Sequence, residues 1–239
     1  MYVRTFQSPL CGVPKKTAML SAEGRIQFMA RSRPVLPGHG KGECPMGEAE
    51  ETKYPGLLVA GLPPDFRSML SNFAPFETDN LLTLTVDDVR AMVPGADVGV
   101  GLTVPCRPLR FATVEHAFHC IKMLVAAKNP KVALYFEWDG GHPVGRCVDG
   151  VMVKKAGGKG GLLALTPEQR TVWDLHRHAV LQGLTSIKFS EAHPKFRDLL
   201  AATGSMRLVH AVRFVSEEWS WLYPIRAAAQ GCPLVAMAE

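Results

Sequence analysis

The chain has 239 residues, 47% hydrophobic and 21% charged, enough to bury a full core without help from disulfides or metals. No apolar run approaches the roughly 18–20 residues of a membrane-spanning helix, and a net charge of +5 falls short of a nucleic-acid footprint while suiting a phosphate-bearing ligand. The six cysteines (Cys11, Cys44, Cys106, Cys120, Cys147, Cys232) include no Cys-x-x-Cys pair, which argues against a zinc ribbon or thioredoxin-like site and suits a reducing compartment, cytoplasmic or mitochondrial.

From Met1 to Gly42 seven basic residues face a single acid, Glu23. Such a stretch suits either an organelle-targeting segment or a basic surface arm, and the lack of a clear amphipathic helix favours the arm. Arg25–Phe28 alternates and reads as a first short strand. Residues 31–66 are dense in Pro and Gly and read as loop or extended arm, so residues 1–66 form an N-terminal arm ahead of a domain over 67–239. A second irregular stretch, 77–108, holds a strand at 81–86 and a short helix over Asp87–Val93, stopped by Pro94-Gly95. Further on, Thr166-Pro167-Glu168-Gln169 combines an N-cap, a first-turn proline and a capping-box glutamine, predicting a helix over about 167–182. Gly183 is expected to weaken or bend it. A helix after His193-Pro194 should end at Gly204 in a left-handed cap, and 208–214 has strand character. The glycine-rich run Ala156–Gly161 lacks the strand–GxxxxGK[ST]–helix setting of a phosphate loop and reads as a flexible connector. The fold expected is α+β: a mainly helical single domain with one small sheet built from 25–28, part of 81–86 and 208–214.

The most informative segment is Ala112–Lys122. Thr113 caps a helix expected over about 114–126, with a carboxylate in its first turn. At 100° per residue Glu115, Phe118, His119 and Lys122 share one face, while Ala117, Ile121 and Leu124 form the apolar back. A carboxylate, an imidazole and an ammonium on one face suit an active-site wall and also an ordinary surface helix. His116 and His119 do not form His-Glu-x-x-His, and His176-x-His178 would splay on a helix, so no metal site is expected.

The company of this helix narrows the choice. Ser71-Asn72-Phe73-Ala74-Pro75-Phe76 precedes it. Gly145-Arg146, Trp173 with Val180-Leu181, Lys188-Phe189, and Leu199–Gly204 with Leu208-Val209 follow. This order resembles the NADAR superfamily, the YbiA-like N-glycosidases, over most of residues 68–215; in that family "SNF" precedes "(T/S)SEHxFQxxK", then "GR", "W…VM…KF" and "L…TG…LVE". The resemblance implies cleavage of an N-glycosidic bond at the anomeric carbon of a ribose, with no cofactor. Glu115 would stabilise the oxocarbenium-like charge or take a proton from water. Lys122 would hold a phosphate or ribose hydroxyl, or act as an amine nucleophile towards the opened sugar. The ligand-binding set would be Asn72, Phe73, His119, Arg146 and Trp173. Four of them have a plainer role: turn closure for Asn72, core packing for Phe73 and Trp173, a solvated surface position for Arg146.

The chain also departs from the family pattern. His210 stands where the family has a glutamate after "LV", Ser216 where an aspartate is usual, and Ser220 follows Trp219 in place of a glycine. Two function classes follow. The first is an N-glycosidase acting on a ribosylated base or ADP-ribose-type ligand, or on a phosphorylated riboside such as a riboflavin-pathway intermediate. The second is a pseudoenzyme, an eroded NADAR-like domain serving as a complex subunit, with the N-terminal arm and the 77–108 insertion carrying its protein contacts.

Overall fold

A computed structural model describes residues 25–28, 63, 66–96, 107–204, 207–211 and 216–231; the arm over 31–66 lies, but for Pro63 and Phe66, outside these. In chain order the elements are β1 (Arg25–Phe28), α1 (Phe66–Leu70), β2 (Leu82–Leu84), α2 (Val86–Met92), β3 (Leu109–Phe111) and α3 (Val114–Val125). Then come α4 (Pro130–Leu134), a 3-10 turn (Pro143–Arg146), α5 (Gly150–Gly157) and α6 (Pro167–Lys188). The described chain ends with α7 (Pro194–Ala202), β4 (Arg207–Ala211), β5 (Ser216–Glu218) and α8 (Leu222–Ala229). The mixture is α+β. These residues form two compact units, one spanning Ser68–Lys188 and the other combining residues up to Arg67 with those from Phe189 onward.

Within Ser68–Lys188, β2 and β3 pair antiparallel with Leu82 opposite Phe111 and Leu84 opposite Leu109. These four side chains are buried while Thr83 and Arg110 face out, the alternation a half-buried hairpin requires. The stretch after residue 77 thus contributes core residues, and the expected short helix α2 opens with a capping box between Thr85 and Asp88 that its sequence reading had not included. Helix α3 starts at its Thr113 cap as expected and packs against α4, α5 and α6. Its supposed outward face is buried too, because α5 and α6 cover it: Glu115, His119 and Lys122 are as enclosed as the apolar back. Helix α6 begins with the expected Thr166–Gln169 box, but it runs six residues past 182 to Lys188. The helix continues through Gly183. A Cβ there would lie 2.5 Å from Met92 Cγ, so the glycine is where α2 comes close to α6.

In the other unit β4 is the middle strand, parallel to β1 (Ile26 opposite Leu208) and antiparallel to β5 (Val209 opposite Glu218). The single expected sheet is therefore two, since 82–84 pairs with the short strand at 109–111, which its sequence setting after Pro108 concealed. Phe28, Trp219 and Leu208 are fully buried, with the Phe28 and Trp219 rings edge-on at 5.0 Å. Helix α7 begins at Pro194 and is closed by Gly204 at φ 63°, the left-handed cap expected.

Candidate functional site

The site is assembled on the front of α3 by three segments distant in sequence. The first is the turn Ser71–Phe73. Its Ser71 hydroxyl donates to Ser68 O at 2.7 Å and accepts from Phe73 N at 3.3 Å, so the serine closes the turn. The Asn72 side chain is released from that task, and its buried Oδ1 has no hydrogen-bonding partner among the described residues. The Asn72 carbonyl accepts from Glu115 N at 3.2 Å, fixing this turn to the first turn of α3. A second anchor is Lys188, fully buried at the end of α6, whose Nζ donates to Met69 O at 2.6 Å and Ser71 O at 2.7 Å. Burial pushes its pKa well below the usual lysine range. Sequence reasoning counted Lys188-Phe189 only as a short ordered pair; the lysine's structural task is to hold the asparagine turn.

The second segment is α3 itself. His119 Nε2 lies 3.2 Å from Glu115 Oε1, one helical turn away, with both side chains more than nine-tenths buried. Burial lowers the His119 pKa, and the Glu115 carboxylate pulls it back up. Its neighbour His116 belongs to the scaffold. Nδ1 lies 2.8 Å from Thr113 Oγ1, and Nε2 lies 2.9 Å from Val144 O. A carbonyl only accepts, so Nε2 carries the proton and Nδ1 accepts from the Thr113 hydroxyl. Burial depresses its pKa to about 4, keeping the ring neutral at pH 7.

The third segment is α5, which presses glycines against the site at both ends. A Cβ on Gly150 would sit 2.4 Å from Phe73 Cγ, and one on Gly157 would sit 2.2 Å from His119 Cγ. Only hydrogen at these positions lets α5 lie on the two rings. Lys122 Nζ donates to Gly157 O, an ammonium at the carbonyl end of α5. Burial lowers its pKa to about 8, partly countered by Glu115. The run expected to be a flexible connector is thus a built turn, with Leu162 N donating to Ala156 O at 2.7 Å and Gly160 at φ 82°.

A cavity of about 300 Å³ opens beside Lys122, walled by Gly157–Lys159, Leu163–Leu165, Arg170, Trp173 and Asp174. Trp173 serves as core and as wall, since its ring also meets Phe118 edge-on at 4.8 Å. Of the residues singled out from sequence, Asn72, Phe73, Glu115, His119 and Lys122 are joined by these contacts, and Trp173 lines the cavity together with Lys122. Glu115 is not in the cavity wall. Arg146 is exposed; its Nε donates to Trp138 O at 3.2 Å and it makes no ion pair with Glu115. Phe73 has Lys154 Nζ 5.9 Å from its ring centroid.

Two further carboxylates are committed to structure: Glu137, which sequence reasoning missed, and Glu218, which stands close to Ser216 in the sequence. Glu137, fully buried, takes a fork from Arg107 (2.8 and 3.1 Å) and the Arg110 amide at 3.2 Å. In the other unit Glu218 takes Arg207 Nε at 2.8 Å and the Tyr223 hydroxyl at 2.6 Å, so it is committed to holding β4, β5 and α8. Cys120 is fully buried, which pushes its thiol up and makes it an inert packing residue. Among the described residues no group of three or more His, Cys, Asp or Glu could hold a metal ion, and no helix is long and apolar enough to cross a membrane. No family model, curated protein or solved structure matches the chain.

Proposed function

We propose that the chain is an N-glycosidase-like, NADAR-type protein acting on a ribosylated base, an ADP-ribose-type ligand or a phosphorylated riboside. The observation that carries this reading is the row Glu115–His119–Lys122: three ionisable side chains buried on one helix face, whose first turn is tied to Asn72, an asparagine with a buried side-chain oxygen that has no hydrogen-bonding partner among the described residues. Burying such groups without full pairing costs stability, and sites of chemistry are where proteins bear that cost. In hydrolysis, water adds to the anomeric carbon, the C–N bond breaks with its electron pair going to the base, and the base nitrogen takes up a proton. Glu115 is suited to remove the proton from water and to offset the positive sugar. His119 Nε2 stands 3.2 Å from the carboxylate. Lys122, with its pKa near 8, is mostly an ammonium at pH 7 that can hold phosphate or hydroxyl, with a neutral fraction able to attack the opened sugar. The test is release of free base from ADP-ribosylated guanine and from phosphoribosyl-pyrimidine intermediates, with Glu115→Gln as the inactive control.

One observation favours the second reading, a domain without turnover that serves as a subunit. Glu115 is only 7% exposed and stands outside the cavity wall, as a carboxylate retained for structure would. Absence of base release on every glycoside, together with stable incorporation into a larger complex, would select it.

A further inference from the structure

The cavity beside Lys122 carries a charge pattern that none of the motif residues explains. Its wall has three cations, Lys122, Lys159 and Arg170, against one carboxylate. That carboxylate, Asp174, already pairs with Arg177 at 3.3 Å. Lys159 and Arg170 are exposed, and neither side chain has a hydrogen bond or ion pair among the described residues. Both come from segments built to place them: Lys159 from the glycine turn after α5, and Arg170 from the first turn of α6, where its amide donates to Thr166 O at 2.9 Å. Beside the charges, the same lining includes the apolar side chains of Leu163, Leu165 and Trp173.

We propose that Lys159 and Arg170, with Lys122 at the inner end, form a phosphoryl subsite for a ligand of mononucleotide size whose flat ring lies against Trp173 and the two leucines. This rests on the reading of Lys122 and Trp173 as site residues. An arginine fork and two ammonium groups match the oxygens of a phosphate monoester, and three cations lining one cavity against a single carboxylate raise its local anion concentration. The size follows from volume. At about 300 Å³ the cavity is at the lower end of small-molecule sites (roughly 300–1,000 Å³), room for one phosphorylated nucleoside and not for two.

The test is calorimetric titration of the full chain at low salt with guanosine 5′-monophosphate, guanosine and ADP-ribose. The monophosphate is expected to bind roughly ten- to hundredfold tighter than guanosine, the range of one or two charge-assisted bonds. The double variant Lys159→Gln/Arg170→Gln should abolish that preference with unchanged circular dichroism and melting temperature, since both side chains are exposed. Equal binding of nucleoside and monophosphate, absence of binding by both, or a preference intact in the double variant overturns the subsite. ADP-ribose binding ten times tighter than the monophosphate overturns the size assignment. The subsite and the enzyme reading fail separately: Glu115→Gln should keep the phosphate preference, and a preference without any base release removes the glycosidase and leaves the subsite.

Discussion

Two buried carboxylates in the same unit have opposite surroundings. Glu137, fully buried, has both oxygens bound by the Arg107 fork and a third donor in the Arg110 amide. Among the described residues Glu115, 7% exposed, has one close side-chain partner, a histidine whose burial disfavours its charge, and a lysine farther along the helix. A saturated carboxylate has nothing left to offer a substrate, and its removal should be felt in folding. An under-coordinated one has lone pairs available, and its removal should be felt in turnover. The contrast teaches where to look for chemistry: at incomplete pairing, more than at burial itself.

The largest expected effect separates the two by kinetics. If base release is found, Glu115→Gln should lower kcat by about 10²–10³-fold, the scale of a lost electrostatic contribution to a transition state, while ligand affinity changes little. Single-turnover assays with calorimetric Kd values measure both. Turnover that survives the substitution would make Glu115 structural and end the distinction.

Glu137→Gln should do the reverse. Breaking a buried ion pair typically costs 3–5 kcal/mol. Arg107 is 41% exposed on its side chain and can regain water, so about 3 kcal/mol is expected in denaturant unfolding. Binding of phosphorylated ligands, measured well below the new unfolding midpoint, should be unaltered.

Acid should expose the scaffold histidine of the same helix. His116 titrates near 4 when folded and near 6.5 when unfolded, so between these values the unfolded chain binds the extra proton. Stability therefore falls as pH drops from about 6.5 towards 4, by up to about 3 kcal/mol from this group. His116→Gln should flatten that part of the stability–pH curve; an unchanged slope would show that the ring is not held neutral.

Much of this was legible in local sequence. Thr113 and the 3.6-residue spacing mark α3, the Thr166–Gln169 box marks the start of α6, and Gly204 marks the end of α7, because caps and periodicity act within a few residues. Long-range pairing was not legible. Nothing near Lys188 announces that its ammonium will meet carbonyls 117 and 119 residues earlier. Gly183 looked like a helix flaw because the approach of Met92 is not written around it. The face of Glu115, His119 and Lys122 was correctly grouped, yet its enclosure depends on α5 and α6 folding over it, with Gly150 and Gly157 permitting the contact. Strand β3, three residues long, carries too little pattern to be distinguished from a loop, and without it the strand at 82–84 was assigned to the wrong sheet.

The smallest effect sharpens the opening comparison with a base titration. Arginine stays charged throughout pH 7–9, so the Arg107–Glu137 pair contributes the same stability across that window. Lys122 does not: it titrates near 8 when folded and near 10.5 when unfolded. Between those values the unfolded chain holds more protons, so stability rises with pH as the folded chain sheds a buried charge. From pH 7 to 9 the gain from Lys122 should be roughly 1 kcal/mol. Lys188, whose pKa is also lowered by burial, contributes a rise of its own, so the quantity to measure is the difference between wild type and Lys122→Met. The variant should lose about 1 kcal/mol of the rise, and its affinity for guanosine 5′-monophosphate should no longer weaken as pH passes 8. Identical pH slopes in the two proteins would mean that Lys122 is solvated in the folded state, and the contrast between a saturated and an available carboxylate would then rest on Glu115 and His119 alone.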